Sequence, residues 1–287
     1  MIETTIERVL FVREPASGVL PLVFDSPHSG TDYPEDFDTI VPADVIRDAE
    51  DTLVDGLFQA APEHGARLIG ALFPRSYCDP NRSERDVDPE LLAEPWPGGL
   101  EPGPKTALGI GAIWRLHPTG RPMYGRKLTV AEVRHRLDTY LRPYQAAVKQ
   151  ALDELYGIFG GVWHVNCHSM PAVSTAVSKE GAGVRRPDFC IGDGDGVTCD
   201  PAFTALAAGF LADAGYEVTV NTPYQGAELV RAWPDPTRNR HSLLIEVNRR
   251  LYLDETTREP SADFGTTQRL LTGWVAALAD FVRDGLG

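Results

Sequence analysis

Two histidines stand in matched surroundings. His28 lies in PLVFDSPHSG, where the apolar run Leu22-Val23-Phe24 reads as a strand that Pro27 breaks. His168 lies in GVWHVNCHS, again after an apolar run and again followed by a serine. A turn needs proline and glycine but has no use for an imidazole. Neutral imidazole suits zinc, and a catalytic zinc takes three protein ligands and leaves one position for water. A third ligand is therefore required, and Asp51 in DAEDTLVD is the candidate, with Asp32 and Glu35 as rivals close behind His28. The spacing of Asp44, Asp48, Asp51 and Asp55 fits a solvated helix face equally well, and Arg47 stands one helical turn before Asp51.

Two further groups could complete a reaction centre. Asn81-Arg82, in CDPNRSERD, follows a strand. A guanidinium offers a planar fork that matches a carboxylate, and an amide beside it adds a neutral donor. Asp-Pro-Asn is also plain turn chemistry, with Arg82 then free to pair with Glu84. Glu246 stands among Leu243, Leu244, Ile245 and Val247. A carboxylate in so apolar a run either points outward, or is buried with a raised pKa that suits a general base or acid. Arg249 and Arg250 are its nearest possible partners. Cys167 makes a poor nucleophile for His168, because neighbouring strand residues face opposite ways. The stretch GDGDG (192–196) lacks the Lys-Ser/Thr of a phosphate loop and reads as a tight loop near the site.

The elements that would position these groups alternate along the chain. Strands are expected over 20–26, 66–74, 161–169, 188–193, 216–222 and 241–249, and helices over 42–65, 129–160, 201–215 and 264–287. Pro143 should kink or split the second helix. A Pro- and Gly-rich stretch over 79–128 shows no sustained period, and loops of such length are usually functional or disordered. This alternation predicts one α/β domain over 1–287, a mixed or parallel sheet covered on both faces. Ligands of such sheets bind beyond the carboxyl ends of the strands, where His28, Asn81, Arg82, His168 and Glu246 would all lie.

The totals narrow the function. The net charge of −14 over 287 residues repels a phosphate backbone and argues against nucleic acid, though a local basic pocket can still take a small anion. The four cysteines form no CxxC pair, so a thiolate metal site is not expected. The N-terminus lacks the basic and apolar regions of a signal peptide, and no apolar run approaches the ~20 residues of a membrane helix. A cytoplasmic setting with no membrane partner is the expectation.

The ordered set SPHSG, EDTLVD, DPNR, CHSM, GDGDG, YQG and IEVNRRLYLDE, spread over nearly the whole chain, resembles the N-formylglutamate amidohydrolase family. The resemblance implies a three-layer α/β/α, zinc-peptidase-like fold of the phosphorylase/hydrolase type. It also implies one Zn2+ held by His28, Asp51 and His168, other divalent ions being chemically acceptable. Asn81 and Arg82 fall on the pair that grips a substrate carboxylate, and Glu246 falls on the base. The implied partner is a small N-acyl amino acid, N-formyl-L-glutamate first, cleaved to formate and glutamate in histidine degradation. A carboxypeptidase-like peptidase and a metal-free binding protein are the alternatives. Related peptidases take His-x-x-Glu as two ligands, whereas here Thr31 stands three places after His28. The segments GIGAIWRLHPTGRP and AELVRAWPDPTRNRH are richer in arginine and aromatics than the family core requires, which leaves room for a different N-acyl amino acid.

Overall fold

Short apolar runs punctuated by Gly, Pro and Asp become eight strands: β1 (Ile2–Ile6), β2 (Leu10–Glu14), β3 (Leu22–Ser26), β4 (Arg67–Ala71), β5 (Val162–Met170), β6 (Phe189–Gly192), β7 (Val218–Val220) and β8 (Arg240–Asn248). The computed structural model describes residues 1–286. Gly287, the last residue of the helix expected over 264–287, lies outside the described residues. The strands form one sheet in the order β1-β2-β4-β3-β5-β8-β6-β7. The pairs β3–β4, β3–β5, β5–β8 and β6–β7 are parallel, and β1–β2, β2–β4 and β6–β8 are antiparallel. The sheet is therefore mixed and mostly parallel, as expected. The hairpin β1–β2 has no counterpart in the sequence reading: all five residues of β1 are exposed, so no buried face marks it as a strand.

The helices are α1 (Ala43–Ile46), α2 (Val54–Leu57), α3 (Pro104–Ala107), α4 (Val130–Arg136), α5 (Arg142–Phe159), α6 (Pro201–Asp213), α7 (Glu228–Arg231) and α8 (Phe264–Asp284). One apolar core lies between the sheet and α4–α5, and includes Val23, Val133, Tyr144, Val148 and Leu229. A second, with Phe24, Val165, Phe203, Ile245 and Trp274, lies on the opposite face under α2, α6 and α8. Trp274 meets Phe24 and Phe58 edge-on at centroid separations of 6.4 and 6.2 Å and donates its Nε1–H to the Ala207 carbonyl at 2.8 Å. Trp274→Ala should cost about 3–5 kcal/mol, read as a fall in the denaturant midpoint without loss of any site residue. No helix among the described residues is long and apolar enough to cross a membrane.

The expected helix over 42–65 is not one helix. It runs as α1, a 3-10 turn over Arg47–Ala49, an irregular step, α2 and a second 3-10 turn over Ala61–His64. The step is held from outside the segment: the Asp51 N–H donates to the His28 carbonyl at 3.0 Å, and Ser29 Oγ donates to the Asp51 carbonyl at 3.1 Å. Leu53 then takes a positive φ of 63° before α2 begins. An unbroken helix would have left Asp51 on the solvent side; the break turns its side chain inward, to 1% exposure.

The second long helical pattern begins and ends as its sequence indicates. Thr129 and Glu132 form a reciprocal capping box at its start, and Gly160, at φ 72°, ends it. The pattern is divided where Pro143 leads one to expect it, into α4 and α5, with no loop between them. A wide π-type turn over Leu137–Leu141 joins α4 to α5 just before the proline, absorbing the carbonyl that the ring would otherwise strike.

Candidate metal and hydrolytic centre

β5 carries the pattern that builds the site. All nine of its residues are buried. Trp163, Val165 and Cys167 enter the core beneath α6 and α8, so His164, Asn166 and His168 point the other way, since strand side chains alternate. The parallel register sets Asp25 of β3 opposite Asn166, and Glu246 of β8 opposite His168. The carboxyl ends of β3, β4, β5 and β8 therefore meet at one edge.

His28, Asp51 and His168, all buried, offer one ligand atom each within 4.8 Å of one another and could hold a metal ion. His28 Nδ1 lies 3.3 Å and His168 Nδ1 2.9 Å from the same oxygen, Asp51 Oδ2. Ligands ~2.0–2.2 Å from a tetrahedral zinc are about 3.3–3.6 Å apart; the His28 contact matches that spacing, and the His168 contact is a few tenths of an ångström shorter. The far nitrogens are also taken: His28 Nε2 faces Asp79 Oδ1 at 2.8 Å, and His168 Nε2 faces Asn166 Oδ1 at 2.6 Å. A neutral imidazole has one N–H and one lone pair. With an ion held among them, each N–H can go to the far acceptor, which leaves both lone pairs and the Asp51 carboxylate for the cation; without one, the rings can donate to Asp51 instead. Burial, chiefly, holds the His168 imidazole below its ordinary pKa. Burial of Asp51 opposes its ionisation, but contact with His168 and His28 outweighs that and keeps its carboxyl well below the usual range.

Asp79 was not singled out in the sequence, where it passes as part of a turn. Besides His28 it receives the Arg75 guanidinium at 2.9 Å, with Arg82 at 3.7 Å. Metal-bound histidines commonly have such a carboxylate behind them. Arg249 was considered as a partner for Glu246; instead it donates to Ser169 Oγ at 3.1 Å, to the Glu50 carbonyl at 2.6 Å and to Asp51 Oδ1 at 3.2 Å. Arg250 pairs with Asp188. Arg47 pairs with Glu50 rather than Asp51, and Glu84 with Arg142 rather than Arg82. Asp32 and Glu35 are exposed and take no part in the cluster.

Glu246 is buried rather than outward, with 8% exposure, and lines the same cleft as the three candidate ligands. Burial first, and then the charge of Asp51, push its carboxyl well above the ordinary range despite Arg75, Arg186 and Arg249. The cleft has a volume of about 1000 Å3, and its walls include Trp114 and His117 from the long 79–128 stretch, with Tyr224 and Arg231. The GDGDG loop is absent from its walls; Asp193 is instead tied to Asn221 Nδ2 at 2.7 Å. Cys167 faces the apolar core, and burial raises its thiol well above the ordinary value, which removes it as a nucleophile.

Asn81 and Arg82 divide in their contacts. Asn81 Oδ1 accepts the Leu229 N–H at 2.9 Å, and its amide nitrogen lies 3.1 Å from His168 Nε2 and 3.3 Å from Asn166 Oδ1. Arg82 donates to the Asn81 carbonyl at 2.7 Å, while the buried Nε atoms of both Arg82 and Arg75 have no partner. Lys105 on α3 lines the same cleft. Burial and then repulsion from Arg82 and Arg75 bring its ammonium down to about 8. On an acidic chain these three cations, with Asp79 between the arginines, form a local anion-attracting wall. Neither Arg75 nor Lys105 lies in a pattern that a single sequence makes legible.

The sequence profile of the N-formylglutamate amidohydrolase family matches residues 20–253. An N-formylglutamate deformylase of Pseudomonas putida is 26% identical over 256 residues, spanning 83% of this chain and 84% of the relative. One of Pseudomonas aeruginosa is 29% identical over 247 residues, with the same coverage of 83% and 84%. The crystal structure of an N-formylglutamate amidohydrolase from Ralstonia eutropha JMP134 superposes with a TM-score of 0.92 at 44% identity, covering 97% of this chain and 99% of the other. A gene product of Agrobacterium tumefaciens shares the fold, with a TM-score of 0.70 at 18% identity over 97% of this chain and 96% of the other.

Proposed function

Because the chain belongs to the N-formylglutamate amidohydrolase family, we propose that it hydrolyses the amide bond of an acidic N-acyl amino acid, N-formyl-L-glutamate first, using one divalent metal ion. The observation that carries this reading is the convergence of two histidines and an aspartate beside a buried glutamate and a cationic wall. Zn2+ is the ion the donor set suits best, and when bound it supplies Lewis-acid polarisation of a carbonyl and activation of water.

The chain's own residues divide the remaining work. His28, Asp51 and His168 would hold the ion. Arg82 and Arg75 would grip the α-carboxylate, with Asn81 fixing the loop between them and His168. Holding the substrate by this remote group places its acyl carbonyl at the centre, which is worth several kcal/mol of barrier. Glu246 would take a proton from the attacking water as the new C–O bond forms. It would hand that proton to the amide nitrogen as the C–N bond breaks, releasing formate and glutamate. A base with a raised pKa serves both halves, since it accepts the proton readily and releases it near neutrality.

The decisive assay is formate release from N-formyl-L-glutamate by protein stripped with chelator, with and without added Zn2+. Turnover that needs the metal supports the reading; metal-independent turnover, or none with any ion, refutes it. A second reading, a peptidase, is favoured by the cleft volume of about 1000 Å3, more than so small a substrate fills. Short peptides ending in glutamate belong in the same assay, and their preference over N-formyl-L-glutamate would select that reading.

Arg82→Ala should raise KM by about 10–100-fold, the scale of a lost charge-assisted hydrogen bond, with metal content unchanged; loss of metal would refute its role. Lys105→Met should shrink the preference for N-formyl-L-glutamate over N-formyl-L-glutamine. The lysine's charge disappears as pH rises through about 8, so KM for the diacid should climb there in the parent protein and stay flat in Lys105→Met.

A further inference from the structure

We infer that Asp25, although it touches none of the candidate metal ligands, sets which nitrogen of His168 is offered to the metal, acting as a positioning residue through Asn166. Asp25 lies in the interior of β3 with no exposed surface. Its Oδ1 accepts from His164 Nε2 at 2.8 Å and from Asn166 Nδ2 at 2.7 Å, and its Oδ2 accepts the Tyr144 hydroxyl at 2.9 Å. No arginine or lysine pairs with it among the described residues. A carboxylate buried this way is costly, and an apolar side chain would serve stability better.

What the carboxylate supplies is polarity of one sense. It accepts and does not donate, so the Asn166 amide must turn its NH2 toward Asp25. The amide oxygen is thereby aimed at His168 Nε2, 2.6 Å away. That oxygen also only accepts, and the Asn81 NH2, 3.1 Å from Nε2, can give its hydrogen to it at 3.3 Å, so Nε2 keeps the ring proton for the shorter contact. The lone pair is left on Nδ1, which faces Asp51 at 2.9 Å. His28 reaches the same state directly, with Asp79 on its Nε2. The two imidazoles are thus set alike, one by a carboxylate and the other by a carboxylate acting through an amide.

This inference rests on the metal reading above, but its first test needs no metal once the competing Asp51 carboxylate is removed. In metal-free Asp51→Ala, where no carboxylate faces Nδ1, long-range 1H–15N spectra should show His168 as the Nε2–H tautomer. Asp25→Asn can donate, lets the Asn166 amide turn over, and should move the proton to Nδ1. Zinc affinity, measured by competition with a chromophoric chelator, should fall about 10–100-fold, as for lost outer partners of metal-bound histidines. The double variant Asp25→Asn with Asn166→Asp restores the donor-to-acceptor sense and should recover both tautomer and affinity. Tyr144→Phe removes a bond to the same carboxylate without touching the relay and should change neither.

An Nδ1–H His168 in metal-free Asp51→Ala with Asp25 intact overturns the inference. So does a Tyr144→Phe that loses as much affinity as Asp25→Asn. If the tautomer behaves as expected but the parent protein binds no divalent ion, the relay stands and the metal reading falls.

Discussion

Glu246→Gln will lower kcat by about 10²–10⁴, the range that a positioned general base contributes, and will keep both the metal and the substrate affinity. Glutamine fills the same volume and can occupy the same place opposite His168 in the sheet register, but it cannot accept a proton. Single-turnover kinetics with metal analysis of the same sample measure this. Near-parental turnover removes Glu246 from the chemistry, and co-purification without metal makes it a ligand instead. The substitution has a second expected effect. In the metal-free protein, burial and Asp51 disfavour the ionised glutamate. A carboxyl whose folded pKa is raised destabilises the fold fully above that pKa, and the penalty fades as pH falls to the ordinary carboxylate value. Metal-free Glu246→Gln should therefore melt a few degrees higher than the parent at pH 8, and the gap should close as pH falls to the ordinary carboxylate range.

His168→Ala and Asp51→Asn will each abolish metal retention and turnover together. Loss of one of three ligands exceeds the about 10–100-fold penalty of losing an outer partner. The checks are metal content after gel filtration and activity with excess Zn2+. A variant that keeps a full equivalent of metal is not a ligand variant. The stability change in metal-free Asp51→Asn has the opposite sign to that of Glu246→Gln. Asp51 has a lowered pKa because His168 and His28 contact outweighs burial. It therefore stabilises the fold above the ordinary carboxylate range, and that contribution is lost as pH falls through its folded pKa. Two carboxylates of one cleft thus respond oppositely to neutralisation.

Much of the fold was legible because the strands of its centre are apolar runs closed by turn residues. The edge strand β1 escaped because an exposed strand has no buried face to display. The histidines could be found because nothing structural asks for an imidazole after Pro27. Asp51 was ambiguous for a physical reason: its spacing obeys helical periodicity, while the hydrogen bonds that break the helix come from His28 and Ser29, over twenty residues away. Asp25, His164 and Asn166 did leave a signal. Polar side chains alternate through strands otherwise fit only for burial, a pattern that marks a functional interior. Arg75, Asp79 and Lys105 left none, since their partnership exists only once distant loops meet.

The place of β8 has a consequence for how the molecule comes into being. β8 pairs on one side with β5 and on the other with β6, so the seventh and eighth positions of the sheet cannot join the rest until residue 248 has been synthesised. Until then β5 presents one unpaired backbone edge, a template for pairing with foreign chains. Because that last strand also carries Glu246, a growing chain gains its proton acceptor only at the step that seals its most adhesive surface.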